Sequence, residues 1–324
     1  ERSLNGTILP KGDHDGYRVA IDRAGVITAR VSGLVDGNQL DFLLRDASGS
    51  SVGVWISPAT TNGKSEAITW DVRAPGEYTV GLRARGNTWR SDKPYRIFVE
   101  TVPGDIHEPN GDLGSATWIA PPSKRSAGPA ASTESGQAVL DSRVLNVEGT
   151  ILPKGDTDHY RVFMARKGTI AADVSGLEGG QVMSLILRDG SGSSVGVWLY
   201  PTVTNGTTER VTWNVAAPGE YVIVLAAKGS EWRSSKPYKL HVETLPGDVH
   251  EPNEGIGEAL PSDPTSVVNL SLTPAGDTDV LRIQTYGPGV LTVHASGLPK
   301  DVQPQLLVRG SSGRSLGVWR NCDL

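Results

Sequence analysis

Along most of this chain apolar residues fall at every second position, in short runs broken by glycine, proline and asparagine. Tyr78, Val80, Leu82 and Ala84 alternate with Thr79, Gly81 and Arg83, and Tyr221, Ile223, Leu225 and Ala227 alternate with Val222, Val224 and Ala226. A period of two places one set on a single face of a strand, so the constant apolar set marks a core side and the variable set an outer side. The same pattern predicts strands at 17–21, 27–31, 40–44, 67–72 and 95–101, each with a later counterpart. Asp46-Ala-Ser-Gly49, Thr61-Asn-Gly63 and Ala74-Pro-Gly-Glu77 supply the turns between them. No stretch carries an apolar stripe at helical spacing. Many short strands without crossover helices predict an all-β chain of antiparallel β-sandwich domains, jelly-roll-like in type.

The pattern repeats. Gly6-Thr-Ile-Leu-Pro-Lys-Gly-Asp13 returns as Gly149-Thr-Ile-Leu-Pro-Lys-Gly-Asp156, an offset of 143 residues that also relates Trp55 to Trp198, Trp70 to Trp213, Trp89 to Trp232 and Tyr95 to Tyr238. A third copy follows at an offset of 121, which relates Asp156 to Asp277 and Trp198 to Trp319. The difference falls in the connection, where the low-complexity stretch 123–137 precedes only the second copy. The expected organisation is a first sandwich at 1–103, a linker at 104–145, a second sandwich at 146–246, a linker at 247–266 and a partial third sandwich at 267–324. The last lacks the segments that match 209–244, which would leave apolar faces and strand edges exposed.

Composition narrows the function classes. The 324 residues hold 37% hydrophobic side chains, 39 Gly and 21 Pro, too apolar for a disordered chain and rich in turn formers. A net charge of −5, with no basic cluster beyond Lys124-Arg125, argues against a nucleic-acid partner. No apolar run is long enough to span a membrane as a helix. The single cysteine, Cys322, leaves stability to the cores and to bound ions rather than to disulfides.

Glu108-Pro-Asn110, Gly155-Asp-Thr-Asp-His-Tyr160, Leu187-Arg-Asp-Gly-Ser-Gly192, Ala217-Pro-Gly-Glu-Tyr221 and a closing strand from Tyr238 follow one another in this order. Together they resemble the bacterial pre-peptidase C-terminal domain family and, more distantly, the collagen-binding domains of clostridial collagenases. The resemblance implies a secreted or cell-surface bacterial setting and an appendage without catalysis of its own. It also implies calcium where an acidic linker folds against the first strands.

The residues themselves offer such a site. Calcium takes six to eight oxygens, so carboxylates and amides must converge from more than one segment. Asp105, Glu108, Asn110 and Asp112 precede the second copy, and Asp156 and Asp158 lie at its first turn. Asp248, Glu251, Asn253 and Glu254, with Asp277 and Asp279, repeat the set for the third copy. The first copy keeps Asp13 and Asp15 without a Glu-Pro-Asn segment. The bland reading is that these aspartates only bond to turn backbone.

Three G-x-S-x-G segments, at 49–53, 192–196 and 313–317, imitate a hydrolase signature. Strand-like Val-Trp or Gly-Val-Trp follows each, no histidine keeps register with them, and no enzyme is expected. Trp89 and Trp232 sit in polar loops, each beside an arginine, and are the candidate ligand platform. The functional expectation is a non-catalytic accessory or adhesion module that binds an extracellular polymer, a surface protein or a parent enzyme. The alternative is a structural repeat protein of a fibre or surface layer, its partners copies of itself joined by strand sharing through the third repeat.

Overall fold

A computed structural model describes residues 2–35, 37–91, 93–119, 143–230, 232–298 and 304–321. These fall into two compact units, one holding residues 2–119 and 143–246 and the other residues 247–321. Lys124-Arg125, the stretch 123–137 and Cys322 lie outside the described residues.

The first unit contains both complete repeats. Repeat one comprises β1 (Arg2–Gly6), β2 (His14–Ile21), β3 (Gly25–Ser32), β4 (Leu40–Asp46), β5 (Thr60–Thr61), β6 (Lys64–Ser65), β7 (Ile68–Val72), β8 (Gly76–Ala84) and β9 (Tyr95–Pro103). The two-residue strand β10 (Thr117–Trp118) follows. Repeat two runs through β11 (Arg143–Gly149), β12 (Thr157–Met164), β13 (Gly168–Ser175), β14 (Met183–Asp189), β15 (Val203–Thr204) and β16 (Thr207–Thr208). It closes with β17 (Val211–Val215), β18 (Gly219–Ala227) and β19 (Tyr238–Pro246).

Each repeat is a pair of facing sheets. One has the order β1-β9-β3 with β7 beside β3, matched by β11-β19-β13-β17. The other is β2-β8-β4, matched by β12-β18-β14. The apolar alternation decides what lies between them. Tyr78, Val80, Leu82 and Ala84 are buried against Phe42, Trp70 and Ile97, and Tyr221, Ile223, Leu225 and Ala227 against Leu185, Trp213 and Leu240. The turn chemistry also follows the sequence. Asn62 and Gly63 both take positive φ, as do Asn205 and Gly206, the requirement of a tight hairpin between right-twisted strands. The Asp46 and Asp189 carboxylates accept backbone amides two and four residues on.

Repeat two departs from repeat one at its lead-in. Residues 105–118, which the sequence assigns to a linker, pack as part of the second repeat. β10 pairs in parallel with β12, Thr117 opposite Tyr160 and Trp118 opposite Arg161. Leu113 and Ala116 then cover the outer side of β18 and β14, packing with Trp198 on Ile186, Val222 and Val224. This explains why the variable set of β18 is apolar where that of β8 is Thr79, Gly81 and Arg83: among the described residues, only the former has such an apolar cover.

The two repeats meet through polar contacts. The Asp71 carboxylate accepts from the Arg233 guanidinium at 3.0 Å and from the Lys154 amide at 2.9 Å. Arg23 donates to the Asp105 carbonyl at 2.9 Å. A cleft of about 400 Å³ opens beside this joint, with Arg23 and Arg73 from repeat one and Glu108, Asp112 and Asp156 from the lead-in and repeat two.

The second unit repeats the lead-in. β20 (Leu260–Ser262) pairs in parallel with β21 (Leu281–Ile283), and β22 (Gln305–Leu306) pairs with β23 (Arg320–Asn321). Leu291 and Val293 are 41% and 45% exposed where their counterparts Ile170 and Ala172 are 0% and 1%.

Candidate metal centre

The lead-in segment delivers Glu108 to the first turn of repeat two, where Asp156 and Asp158 stand. One carboxylate oxygen of each lies within 4.8 Å of the others. Backbone bonds fix the approach: the His159 amide donates to the Asn110 carbonyl at 3.1 Å and the Thr157 hydroxyl to the Gly111 carbonyl at 3.1 Å. Asp156 is held by the amides of Leu152 (3.1 Å) and Thr157 (2.8 Å), so its turn-stabilising role and its place in the cluster coexist.

Burial sets the electrostatics. Asp158 is fully buried; its Oδ2 accepts from the Tyr238 hydroxyl at 2.6 Å, and its Oδ1 has no partner. Burial, reinforced by the Asp156 charge, raises the Asp158 carboxyl well above the usual range. Burial and the neighbouring Asp156 push Glu108 up to about 8, and burial raises Asp156 as well. Asn110 is 0% exposed and neither atom of its carboxamide has a partner. An unpartnered buried amide costs about 1–3 kcal/mol, and several carboxylates crowded together repel one another. Protons relieve the repulsion at low pH; at neutral pH a bound cation would do so. The ligand atoms are carboxylate oxygens, with an amide oxygen adjacent, which suits a hard cation rather than zinc or copper.

The remaining nominated residues divide. Asp105 braces the segment instead of joining the cluster: its carboxylate accepts the Thr150 amide at 2.5 Å and the His107 amide at 2.8 Å. Asp112 is exposed and accepts the Ser115 amide at 2.8 Å, capping its own turn, and it stands outside the cluster. In the second unit Asp248, Glu251 and Asp279 form one cluster, and Glu251, Glu254 and Asp277 another. Asp248 also takes the brace role, on the Ser271 and His250 amides. Asn253 is fully buried with its carboxamide unpartnered, as Asn110 is. Among the described residues no such cluster includes Asp13 or Asp15.

Two supporting residues escaped the sequence reading of the site, Tyr160 and Tyr238. Their hydroxyls are 2.9 Å apart, Tyr238 donates to Asp158, and burial raises both above the ordinary phenol range. Their signal was present, since Tyr17 and Tyr95 hold the same positions beside Asp15.

Four of the tryptophans pack in or at the edge of a core. Trp70 and Trp213 are core residues at 5% exposure. Trp89 and Trp232, nominated as a platform, pack on the edge of their cores, and their indole nitrogens donate to the carbonyls of Gln39 (3.0 Å) and Val182 (3.1 Å). Trp232→Ala is expected to destabilise repeat two by about 2 kcal/mol in chemical denaturation, through lost packing and the freed carbonyl. The G-x-S-x-G segments are hairpin turns: Ser51 bridges to Arg45, Ser194 to Arg188 and Ser315 to Arg309, and no helix follows. His107 packs edge-on against Tyr160 at 5.8 Å.

No family model and no curated protein matches this chain. Solved structures do. The chain is similar to the pre-peptidase C-terminal domain of collagenase from Bacillus anthracis at 21% identity, covering 30% of this chain and 86% of that one, with a TM-score of 0.24. The tandem CBM22 domains of Xyn10C from Paenibacillus barcinonensis match at 12% identity over 70% of this chain and 82% of theirs, with a TM-score of 0.22. The PBSX exported protein XepA matches at 9% identity over 75% and 84%, with a TM-score of 0.22. The likeness is one of fold.

Proposed function

We propose that this chain is a non-catalytic, calcium-stabilised accessory module of an exported bacterial protein, holding a matrix or surface polymer, or a parent enzyme, in place. The carrying observation is the Glu108–Asp156–Asp158 cluster, half-buried at Glu108 and Asp156 and buried at Asp158, with its unpartnered neighbour Asn110, assembled from a lead-in segment and a strand turn. A cation there ties the lead-in to the sandwich. It sits against a tyrosine pair rather than beside a nucleophile, so its work is structural. The polar joint between repeats one and two also supports the alternative, a repeat protein of a fibre or surface layer, because a fixed joint favours regular stacking.

Calorimetric titration of the metal-free chain at neutral pH tests the metal reading. Calcium binding is expected at both lead-ins, with the first event abolished by Glu108→Gln. A flat titration overturns the calcium reading. Co-sedimentation with insoluble extracellular polymers tests the accessory role. Calcium-dependent self-association without polymer binding would favour the fibre.

A further inference from the structure

The cleft of about 400 Å³ between repeats one and two borders the metal cluster, and its size lies within the range of small-molecule sites, roughly 300–1,000 Å³. Glu108 and Asp156 line it from the side of repeat two, and Asp22, Arg23 and Arg73 from repeat one. The cluster is closed on its inner side, where Asp158 and Asn110 are fully buried, and it reaches the cleft through Glu108 and Asp156. Its oxygens are too few for calcium alone. Calcium takes six to eight, whereas each of the three carboxylates brings one oxygen within reach of the others. Asp158 uses its second oxygen on Tyr238, and Asp156 already accepts two backbone amides. The Asn110 carboxamide, buried and unpartnered, has a single oxygen to add. A cation held here would keep positions open toward the cleft.

The repeat-one wall is not a plain basic patch. Arg23 is committed: it donates to the Asp105 carbonyl at 2.9 Å and lies 3.7 Å from the Asp22 carboxylate. Arg73 is exposed and, among the described residues, has no hydrogen bond or ion pair. Asp112, also exposed, accepts from Ser115. A divalent cation does not fully neutralise three carboxylates, and Arg23 and Arg73 are matched by Asp22 and Asp112. The loaded cleft therefore has no excess of positive charge to draw an anion. It combines a free guanidinium donor, carboxylate acceptors and an incompletely coordinated cation in one cavity. A sugar ring answers all three, because each hydroxyl both donates and accepts and two adjacent hydroxyls chelate a hard cation.

The next joint in the sequence separates the duties. There Glu251, Asn253, Asp277 and Asp279 keep the cluster residues and Arg166 keeps Arg23. Ala165, Ala216 and Gly255 stand where Asp22, Arg73 and Asp112 do. Acidic clusters form in the second unit without those three side chains, so cluster assembly does not account for them.

We infer that this cleft is a glycan site, in which two adjacent hydroxyls of a neutral sugar complete the coordination of the bound cation while Arg73 donates to a sugar oxygen and Asp22 accepts from a hydroxyl. The inference rests on the calcium reading above and gives the polymer a chemical class, a neutral polysaccharide.

The test loads the full chain with terbium, an oxygen-seeking stand-in for calcium whose luminescence lifetime reports the waters bound to it. The loaded protein is titrated with the methyl glycosides of mannose, galactose, glucose and xylose, which between them present axial–equatorial and diequatorial diols. Galacturonic acid serves as the anionic counterpart. Saturable displacement of bound water by at least one neutral glycoside is expected. Arg73→Ala and Asp22→Ala, which introduce residues already used at the next joint, should each weaken it about tenfold and leave calcium affinity unchanged. Comparison with Arg73→Ala also isolates the cleft from ions bound in the second unit. No displacement at about 100 mM glycoside, with the ion still bound, overturns the glycan site and leaves the calcium reading standing. Equal displacement in the Arg73→Ala protein overturns it too, as does a response to galacturonic acid alone. Failure to bind calcium or terbium at all removes both readings.

Discussion

Stripping divalent cations from this protein will lower the unfolding midpoint of the second repeat, and by far more at pH 8 than at pH 5. In the folded chain Glu108 is raised to about 8, and Asp156 and Asp158 are raised too, all chiefly by burial. Unfolded carboxyls titrate near 4. Between roughly pH 4 and 8 the metal-free folded state therefore holds more protons than the unfolded one. Its stability is greatest below the unfolded values and falls as pH rises through the folded ones. Calcium is expected to act in the opposite sense, by binding the ionised cluster and expelling those protons. At a thousandfold excess over its dissociation constant it adds about 4 kcal/mol, which for a domain of about 100 residues is a midpoint shift of 15 °C or more. Scanning calorimetry of calcium-depleted and calcium-supplied protein at both pH values gives the answer. Equal midpoints at pH 8 would remove the ion from the account.

The second large effect is expected at a glycine. Gly149 ends β11 directly above the Tyr160–Tyr238 pair, and a Cβ there would press into both hydroxyls, closer than atoms of that kind approach. The tyrosines cannot retreat, since they are buried and Tyr238 is tied to Asp158. Gly149→Ala should cost about 3 kcal/mol and weaken calcium binding by disturbing the support of Asp158. Gly179→Ala is the control, since a Cβ there meets nothing within 4 Å. A Gly149→Ala protein as stable as the control would mean that the tyrosine pair is not rigid.

The sandwich was legible because its period-two alternation and turn residues were duplicated, so that noise in one copy could be checked against the other. The constant set, Tyr78 to Ala84 and Tyr221 to Ala227, faces the core as its constancy suggested. The variable set was not legible. Val222 and Val224 are apolar because of Leu113 and Ala116, more than a hundred residues earlier, and no local pattern reports a cover that arrives from outside the strand. The acidic residues of the site were all visible, yet their roles were not separable by type. Asp105 and Glu108 both read as ligands. Only the fold shows one carboxylate spent on the Thr150 and His107 amides and the other aimed at Asp156. Asp112 carried a local warning, a serine three residues on, which is the spacing of a side-chain cap.

Because the lead-in is fastened to repeat two before β11 begins, the covalent route between the two is not the mechanical one. Tension arriving from β9 would meet the Asp105 brace and the β10–β12 pairing, and so the second sandwich, ahead of β11. The length of chain between the lead-in and the first strand of its repeat is not held constant between the copies. The corresponding connection before the third copy is 22 residues shorter with the same brace and parallel strand in place. Fastening of the lead-in, not the number of residues that follow it, therefore sets where the second sandwich begins, as a hook sets the hang of a coat whatever the length of its loop.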